Sequence, residues 1–198
     1  IEESLTAFIR DSNFSKIGVL VDENTRQLCL PIVEECLTSF VLIEIESGEI
    51  NKNINTCNSI WDTLTNNGFD RHSLIINLGG GVIGDMGGFC AATFKRGITF
   101  INIPTTLLAM VDASIGGKLG IDHGIYKNQI GLFQTPHRVF IDDRFLATLP
   151  IRELKSGFAE VIKHSLISKN DDWKLIKNTP FEQLKWEEII RKSIAVKS

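Results

Sequence analysis

Cysteine is scarce in this chain, and the few cysteines present are far apart. Cys29, Cys36, Cys57 and Cys90 are the four cysteines among 198 residues, and no two have the spacing of a metal or redox pair. Disulfide frameworks belong to small domains with little core, whereas 43% of this chain is hydrophobic. The cysteines are therefore predicted to be reduced, mostly buried thiols of a cytoplasmic protein.

The chain also lacks a strong charge of either sign and any long apolar run. Its formal net charge of -3 argues against an electrostatic nucleic-acid or membrane surface. The apolar runs are far too short to span a bilayer. No basic-apolar leader opens the chain, which begins at Ile1 rather than Met. The partners are thus expected to be small molecules, with no nucleic acid and no membrane.

What is present is an alternation of apolar strands and helices over the first three-quarters of the chain. Strands are predicted at 16–21, 40–46, 73–78, 99–103 and 138–141, and helices at 25–37, 54–66 and 85–94. Near-continuous apolar strands that alternate with helices are typical of a parallel sheet covered on both faces. The predicted fold class is therefore α/β, with a Rossmann-like, mostly parallel sheet and helices on both sides.

From Ile151 onward every segment has a helical pattern. Leu154, Phe158, Val161 and Leu166 fall on one helical face, and the chain stops at Ser198 without a terminating signal. We predict an α/β domain over residues 1–148 and the incomplete beginning of an all-α domain over residues 149–198. The alternative is a single α/β domain with a helical tail.

A glycine-rich turn follows the third predicted strand. It reads Gly79-Gly80-Gly81-Val82-Ile83-Gly84-Asp85 and leads into a helix. This spacing suits a pyrophosphate, because a Cβ would collide with it and the helix N-terminus offers free N–H groups. The alternative is a tight turn without a ligand.

The turn departs from the usual dinucleotide pattern in two ways. No carboxylate follows about twenty positions later, where residues 100–104 stand, and the motif is on the third strand rather than the first. Asp22, at the end of the first strand, could hold a ribose instead. The sequence is therefore not that of an ordinary Rossmann dehydrogenase.

An ordered set of motifs downstream of this turn carries a more specific resemblance. They are Arg96-Gly97, Pro104-Thr105-Thr106-Leu107-Leu108-Ala109, Asp112-Ala113-Ser114-Ile115-Gly116-Gly117-Lys118, Lys127-Asn128-Gln129-Ile130-Gly131 and Gly157-Phe158-Ala159-Glu160-Val161-Ile162-Lys163-His164. Together with the glycine turn they resemble the 3-dehydroquinate synthase family. Two positions depart from the family pattern: Leu119 stands where Thr is usual, and Tyr126 where Gly is usual.

The resemblance implies a chemistry and a set of cofactors. The family converts 3-deoxy-D-arabino-heptulosonate 7-phosphate to 3-dehydroquinate and phosphate, in the shikimate pathway of aromatic amino acid biosynthesis. It implies NAD, a divalent metal (zinc or cobalt) and a homodimer. The C-terminal half of the family is missing here, so the chain alone is expected to be inactive.

The glycine turn and the resemblance together place the functional residues. NAD is expected at Asp22, Glu49, Lys52, Gly80, Gly81, Val82, Ile83, Gly84, Asp85, Thr105, Thr106, Lys118, Lys127, Phe145 and Thr148. The substrate chemistry is assigned to Asp112, Lys118, Asn128, Lys163 and Arg96, with Arg96 reaching into the neighbouring subunit's site. Glu160 is implied as a metal ligand, His164 is not, and the other ligands are expected beyond residue 198.

Several of these residues also have plainer interpretations. Lys118 stands among glycines that could wrap an anion, but most lysines are solvated surface charges. Thr105 and Thr106 could be a helix cap, and Asp112 a helix-end carboxylate. Glu160 could pair with Lys163 on one helix face, or Glu160 and His164 could both ligate a metal.

Three other functions share parts of this pattern. A sister sugar-phosphate cyclase of the 2-deoxy-inosose synthase type would use the same fold, NAD and metal with a different substrate. A metal-dependent polyol dehydrogenase would release NADH. A nucleotide-binding module without catalysis would need neither the metal nor the second half.

Overall fold

The computed structural model describes residues 1–168 and 172–197. Its strands are β1 (Ile17–Asp22), β2 (Val41–Ile45), β3 (Leu74–Gly79), β4 (Thr99–Pro104), β5 (Lys118–His123), β6 (Tyr126–Phe133) and β7 (Arg138–Val139). Its α-helices are α1 (Glu2–Asp11), α2 (Glu23–Leu28), α3 (Leu30–Glu34), α4 (Ile54–Asn66), α5 (Gly81–Thr93), α6 (Ile151–Ile167), α7 (Asp172–Asn178) and α8 (Trp186–Lys197). A π-helical turn occupies Ala109–Ala113, and short 3-10 turns include Glu49–Asn51, Phe94–Arg96 and Asp143–Thr148.

Five of the strands form one parallel sheet in the order β2-β1-β3-β4-β7. The chain moves outward in opposite directions from β1 and β3, so the strand order reverses between them. In open α/β sheets the crevice at the carboxyl end of such a switch point is where ligands bind. This order explains why the glycine turn follows the third strand: β3 is one of the two switch-point strands.

The sheet is covered on both faces, as the apolar strands predict. Val19, Val21 and Ile76 face a core shared with α1, α3, α6 and α8, while Leu20 and Ile75 face a second core shared with α4, α5 and β5. Both cores are largely closed to solvent. The predicted mostly parallel α/β sheet is therefore confirmed.

Helix α5 is enclosed between the sheet and the β5–β6 hairpin. A Cβ on Gly87 would overlap Asn77 Oδ1 and lie 2.6 Å from Leu20 Cδ2, and one on Gly88 would lie 2.5 Å from Leu119 Cδ2. Glycine is needed at both positions because the helix has no room to move away from either neighbour. Ile83 and every residue from Met86 to Ala91 are buried, so α5 lies inside the fold rather than on its surface.

Several predicted boundaries were wrong. The segment predicted as one helix at 25–37 forms two helices, α2 and α3, with a break at Cys29. Pro31 lies in the first turn of α3, and because it lacks an N–H group and its ring clashes with the preceding turn, α2 cannot continue through it. Helix α5 begins at Gly81 rather than Asp85, since the glycine turn itself forms its first turn. The last parallel strand is only Arg138–Val139.

Two elements were not predicted at all. Helix α1 precedes the sheet, and β5 and β6 form an antiparallel hairpin after the π-helical turn. No helix in the described ranges is long and apolar enough to cross a membrane. All four cysteines are free and buried, as predicted.

Candidate functional site

A cleft of about 820 Å³ opens at the switch point, at the carboxyl edge of the sheet. We call it the switch-point cleft. Its walls come from the ends of β1 and β3, the loop after β2, the segment after β4 and the 3-10 turn before α6. Among the predicted cofactor residues it is lined by Asp22, Glu49, Lys52, Gly80, Gly81, Val82, Ile83, Asp85, Thr105, Thr106, Phe145 and Thr148.

The glycine turn presents an uncapped helix end to this cleft. Gly80 is the N-cap of α5, and it brings no side-chain cap, so the first N–H groups of the helix remain available to an anion. A Cβ at Gly81 would meet nothing closer than Ala113 Cβ at 3.4 Å, so packing does not require glycine there. The missing side chain leaves space in the cleft, where a ligand can approach the backbone.

Gly84 has a different position from the rest of the turn. It is not among the residues that line the switch-point cleft, and its Cβ would point toward Asn102 Nδ2 at 3.8 Å. The structure therefore places Gly84 on the sheet side of α5.

Several cleft residues also have structural partners. Asp22 caps α2 by accepting a 2.8 Å hydrogen bond from Thr25 N, and Thr106 Oγ1 accepts from Ala109 N at 3.2 Å. Thr105 is buried, and its N–H donates to Gly79 O at 3.0 Å. These bonds fix the cleft walls. The capping bonds observed for Asp22 and Thr106 are compatible with a ligand role for both residues.

A second cleft of about 500 Å³ adjoins the first and shares Asp85 and Ala113 with it. We call it the charged cleft. Asp112 of the π-helical turn, Lys118 and Asn128 line it, and so does Lys197 at the end of α8. Lys118 is the first residue of β5 and directly follows the Gly116–Gly117 turn, in which both glycines have positive φ (105° and 68°).

A buried ion pair joins the two clefts. Lys52 Nζ lies 2.6 Å from Asp85 Oδ2 and 2.6 Å from Asn128 Oδ1, and the Lys52 side chain is only 4% exposed. Burial raises the pKa of Asp85, and the Lys52 ammonium partly opposes that shift. One cation therefore connects α5, the loop after β2 and the hairpin.

Beside the charged cleft, Asp112, Glu160 and His164 come together. One ligand atom from each lies within 4.8 Å of the others. Two ammonium groups compensate the carboxylates: Lys163 Nζ bonds Glu160 Oε1, and Lys197 Nζ bonds Asp112 Oδ1. The pKa of Lys163 is raised by that bond. Burial lowers the pKa of His164, which favours the neutral imidazole.

Three more of the residues predicted for NAD or the substrate line neither of these clefts. Arg96 is exposed at the amino edge of the sheet, on the side away from the switch point, where it lines a polar cleft with Arg71 and His137. Lys127 is 69% exposed and pairs with Glu49 at 3.1 Å, on the rim of the switch-point cleft. Lys163 reaches Glu160 from the surface.

Lys197 is the site residue that the sequence analysis missed. It belongs to no motif, and it reaches the charged cleft only because α8 packs beside α6 and the π-helical turn. Its Nζ also donates to Asp112 O at 2.7 Å. The helical periodicity of the sequence does not indicate that such a residue belongs to the site.

The fold and the two clefts define a class: a doubly wound α/β domain with a dinucleotide-type glycine turn at its switch point. Residues 42–156 match the family described as 3-dehydroquinate synthase N-terminal. The chain belongs to this family, and the predicted resemblance is confirmed.

Individual relatives agree with the family. The 3-dehydroquinate synthase of Parabacteroides distasonis is 42% identical over 100% of this chain and 57% of its own length. A structure of 2-deoxy-scyllo-inosose synthase with carbaglucose-6-phosphate, NAD+ and Co2+ has a TM-score of 0.87 at 26% identity, over 99% of this chain and 57% of that one.

A third relative is ValA, the 2-epi-5-epi-valiolone synthase of Streptomyces hygroscopicus subsp. jinggangensis 5008, with NAD+ and Zn2+ bound. It has a TM-score of 0.86 at 28% identity, over 96% of this chain and 56% of that one. The chain thus spans a little over half the length of these three relatives.

Proposed function

We propose that this chain is the NAD-binding part of a 3-dehydroquinate synthase. The observation that carries the proposal is the junction of two clefts at Asp85 and Ala113: one cleft suits a dinucleotide, and the other holds charged groups for a phosphorylated substrate. The boundary near residue 148, with the beginning of a helical domain after it, is part of this proposal.

NAD is the cofactor that the switch-point cleft fits. The uncapped N-terminus of α5 would bind the pyrophosphate, with space beside Gly81. Glu49 and Lys52 would bind the adenosine ribose with Asp22 nearby, and Phe145 and Thr148 would flank the adenine. NAD, when bound, oxidises a substrate hydroxyl transiently and returns the same hydride.

The charged cleft would hold the seven-carbon keto-acid phosphate. Lys118 and Asn128 would bind its phosphate, because both face this cleft, and Lys118 would lie beside NAD as well. Asp112 would contact the reacting hydroxyls and move the proton during oxidation. Lys163 would contribute a further positive charge to the site.

A divalent metal, zinc or cobalt, would polarise the hydroxyl that is oxidised. Glu160 fits it because its carboxylate is only 19% exposed and stands beside Asp112 and His164. Relatives of the same fold carry Co2+ or Zn2+ with NAD+.

The remaining parts of the proposal concern the cellular setting. The protein would act in the cytoplasm, in the shikimate pathway, as a homodimer in which Arg96 of one subunit reaches the site of the other. The exposed position of Arg96 at the amino edge of the sheet is compatible with such a role.

The experiment compares this chain with an extended version that also carries the family's C-terminal half. Calorimetric titration is expected to detect NAD binding to both. Only the extended version is expected to release phosphate from the heptulosonate phosphate and to form dehydroquinate, without accumulation of NADH at 340 nm. Accumulating NADH would indicate a polyol dehydrogenase instead.

Substrate choice is tested in the same assay. Turnover of a hexose 6-phosphate in place of the heptulosonate phosphate would favour an inosose-synthase activity. Binding of NAD by both versions, with no turnover of either substrate by the extended protein, would favour a non-catalytic module.

A further inference from the structure

The β5–β6 hairpin has a bulge beside the charged cleft. Its register shifts along the ladder, where the paired residues are Ile121 with Ile130 and His123 with Tyr126. Asp122 of β5 therefore stands alone opposite residues 127–129 of β6. The extra residues of a bulge lose their ladder hydrogen bonds, and bulges beside ligand sites redirect side chains. This bulge thus determines the direction of the Asn128 side chain, which lines the charged cleft.

The Asp122 side chain supplies a hydrogen bond that the ladder does not provide. Asn128 has a left-handed backbone conformation with φ of 51°, which asparagine adopts more readily than most other residues. Its N–H donates to Asp122 Oδ1 at 2.7 Å. A bond to an ionised acceptor is stronger than one between neutral groups. The carboxylate therefore stabilises the bulge at the residue with the unusual backbone.

The bulge also sets the orientation of the Asn128 amide. Asn128 Oδ1 accepts a hydrogen bond from Lys52 Nζ at 2.6 Å. Because an ammonium group can only donate, the amide oxygen must face Lys52. The Nδ2 group then has its N–H donors on the other side of the amide, where they suit an anion in the charged cleft.

The backbone of Asp122 connects the bulge to the loop after β2. Its N–H donates to Lys52 O at 2.8 Å, and Asp122 forms an isolated parallel bridge with Asn53. These contacts use main-chain atoms, so they do not depend on the Asp122 side chain. A substitution at Asp122 therefore removes the bond to Asn128 and leaves the connection to Lys52.

We propose that Asp122 is a positioning residue for the phosphate of the substrate. Its carboxylate holds Asn128 in the left-handed conformation, in which the Asn128 amide bonds Lys52 through its oxygen and offers its Nδ2 group to the charged cleft. Asp122 lies between the motifs that carry the family resemblance and belongs to none of them. The inference deepens the proposed function, on which it rests for the placement of a phosphate at Asn128.

The first test is a titration of this chain with inorganic phosphate, followed by heteronuclear NMR of the Asn128 backbone and side-chain amides. Asp122→Ala is expected to shift the backbone signal and to weaken phosphate binding about fivefold, the usual worth of one hydrogen bond. Asp122→Asn keeps an acceptor oxygen and should bind phosphate within about twofold of the unmodified chain.

Asp70→Ala is the matched control for the loss of a carboxylate. Asp70 Oδ1 also accepts a hydrogen bond from a backbone N–H, that of His72 at 2.9 Å, and Asp70 lines neither cleft. Its replacement should leave phosphate affinity unchanged. If the alanine at position 122 disturbs the fold, Asp122→Leu replaces it, because leucine keeps the branched shape without an acceptor.

A double-variant cycle shows whether Asp122 acts through Asn128. Asn128→Ala removes the amide donor and is expected to weaken phosphate binding by itself. Adding Asp122→Ala should weaken it by less than about twofold more, because residues that act through one contact are not additive. A purely structural role would instead lower the free energy of unfolding of Asp122→Ala and leave its phosphate affinity unchanged.

Kinetics of the extended version give an independent measurement. Asp122→Ala is expected to raise the KM for the heptulosonate phosphate about fivefold and to change kcat less, since a phosphate contact is made in the ground state and the transition state alike. Asp122→Asn should restore the KM, and Asp70→Ala should not change it.

The inference is overturned if phosphate does not bind in the charged cleft, or if Asp122→Ala binds it like the unmodified chain. It is overturned equally if Asp122→Asn binds as weakly as Asp122→Ala, or if the losses of Asp122→Ala and Asn128→Ala multiply. The two proposals fail separately. The expected pattern of phosphate binding, without turnover of the heptulosonate phosphate by the extended version, would count against the proposed function alone.

Discussion

The ammonium group of Lys52 lies 2.6 Å from Oδ2 of Asp85, between the two clefts. The aspartate is in the first turns of α5, and the lysine follows a 3-10 turn on the far side of β2. The lysine also bonds Asn128 of the hairpin. The relative positions of three cleft walls therefore depend on one buried cation.

Replacement of Lys52 by Met should destabilise the fold by about 1–3 kcal/mol, because it leaves the Asp85 carboxylate largely buried without a cation. NAD affinity should fall as well. Urea unfolding measures the first effect. Lys127→Met is the control, since its pair with Glu49 is exposed and worth about 0–1 kcal/mol. Equal losses of unfolding free energy for the two variants would contradict a special role of the buried pair.

Gly81→Ala should leave the fold intact and reduce NAD affinity at least about tenfold. The new Cβ has only an ordinary contact with Ala113 at 3.4 Å, but it occupies the space where a pyrophosphate would approach. Gly84→Ala, whose Cβ faces Asn102 outside the cleft, is the matched control. If calorimetry finds the same NAD affinity for both variants, the pyrophosphate lies elsewhere.

Gly87→Ala should destabilise the protein by about 3 kcal/mol, as overpacking of a closed core does. Its Cβ would overlap Asn77 Oδ1, which is buried and has no hydrogen-bond partner among the described residues. Thermal unfolding of Gly87→Ala and of Gly87→Ala combined with Asn77→Ala is the measurement. The second change should restore part of the lost stability. If it restores none, the contact of the new Cβ with Leu20 alone accounts for the destabilisation.

Arg144→Gln should slightly lower the free energy of unfolding at neutral pH, because it removes an ion pair whose arginine is largely open to solvent. Arg144 Nη2 bonds Asp142 Oδ2 at 2.5 Å and holds the pKa of this carboxyl below its usual range. A lowered folded-state pKa stabilises the fold above the unfolded pKa, and this contribution is lost as the pH falls through the folded value. The two proteins should therefore differ at pH 7 and converge once acid has protonated Asp142, as measured by urea unfolding at a series of pH values. A constant difference would assign the effect to packing.

The fold was predictable because its central strands are mostly apolar, and nearly continuous apolar runs indicate buried strands. The hairpin was missed because β6 is exposed along most of its length, with apolar and polar residues mixed on its surface. The break at Cys29 was missed although Pro31 stands two residues later.

The residues of the site were predictable only where they belong to a recognisable sequence motif. The glycine turn and the lysines at 118 and 163 belong to motifs, whereas Lys197 does not. The meeting of Asp112 with His164 joins residues from separate elements, a π-helical turn and α6. Their distance is set by the packing of these elements, which no local pattern encodes.

The π-helical turn at Ala109–Ala113 has a consequence for which changes of length this chain can tolerate. A π turn holds one residue more than an α turn, so it is an insertion that a helix has absorbed. Deleting a residue from it would restore regular helix and rotate Asp112 by about 100° away from Glu160 and His164. The position of this carboxylate thus depends on the number of residues in the turn as well as on their identity. Insertions and deletions here are as consequential as substitutions of the aspartate itself.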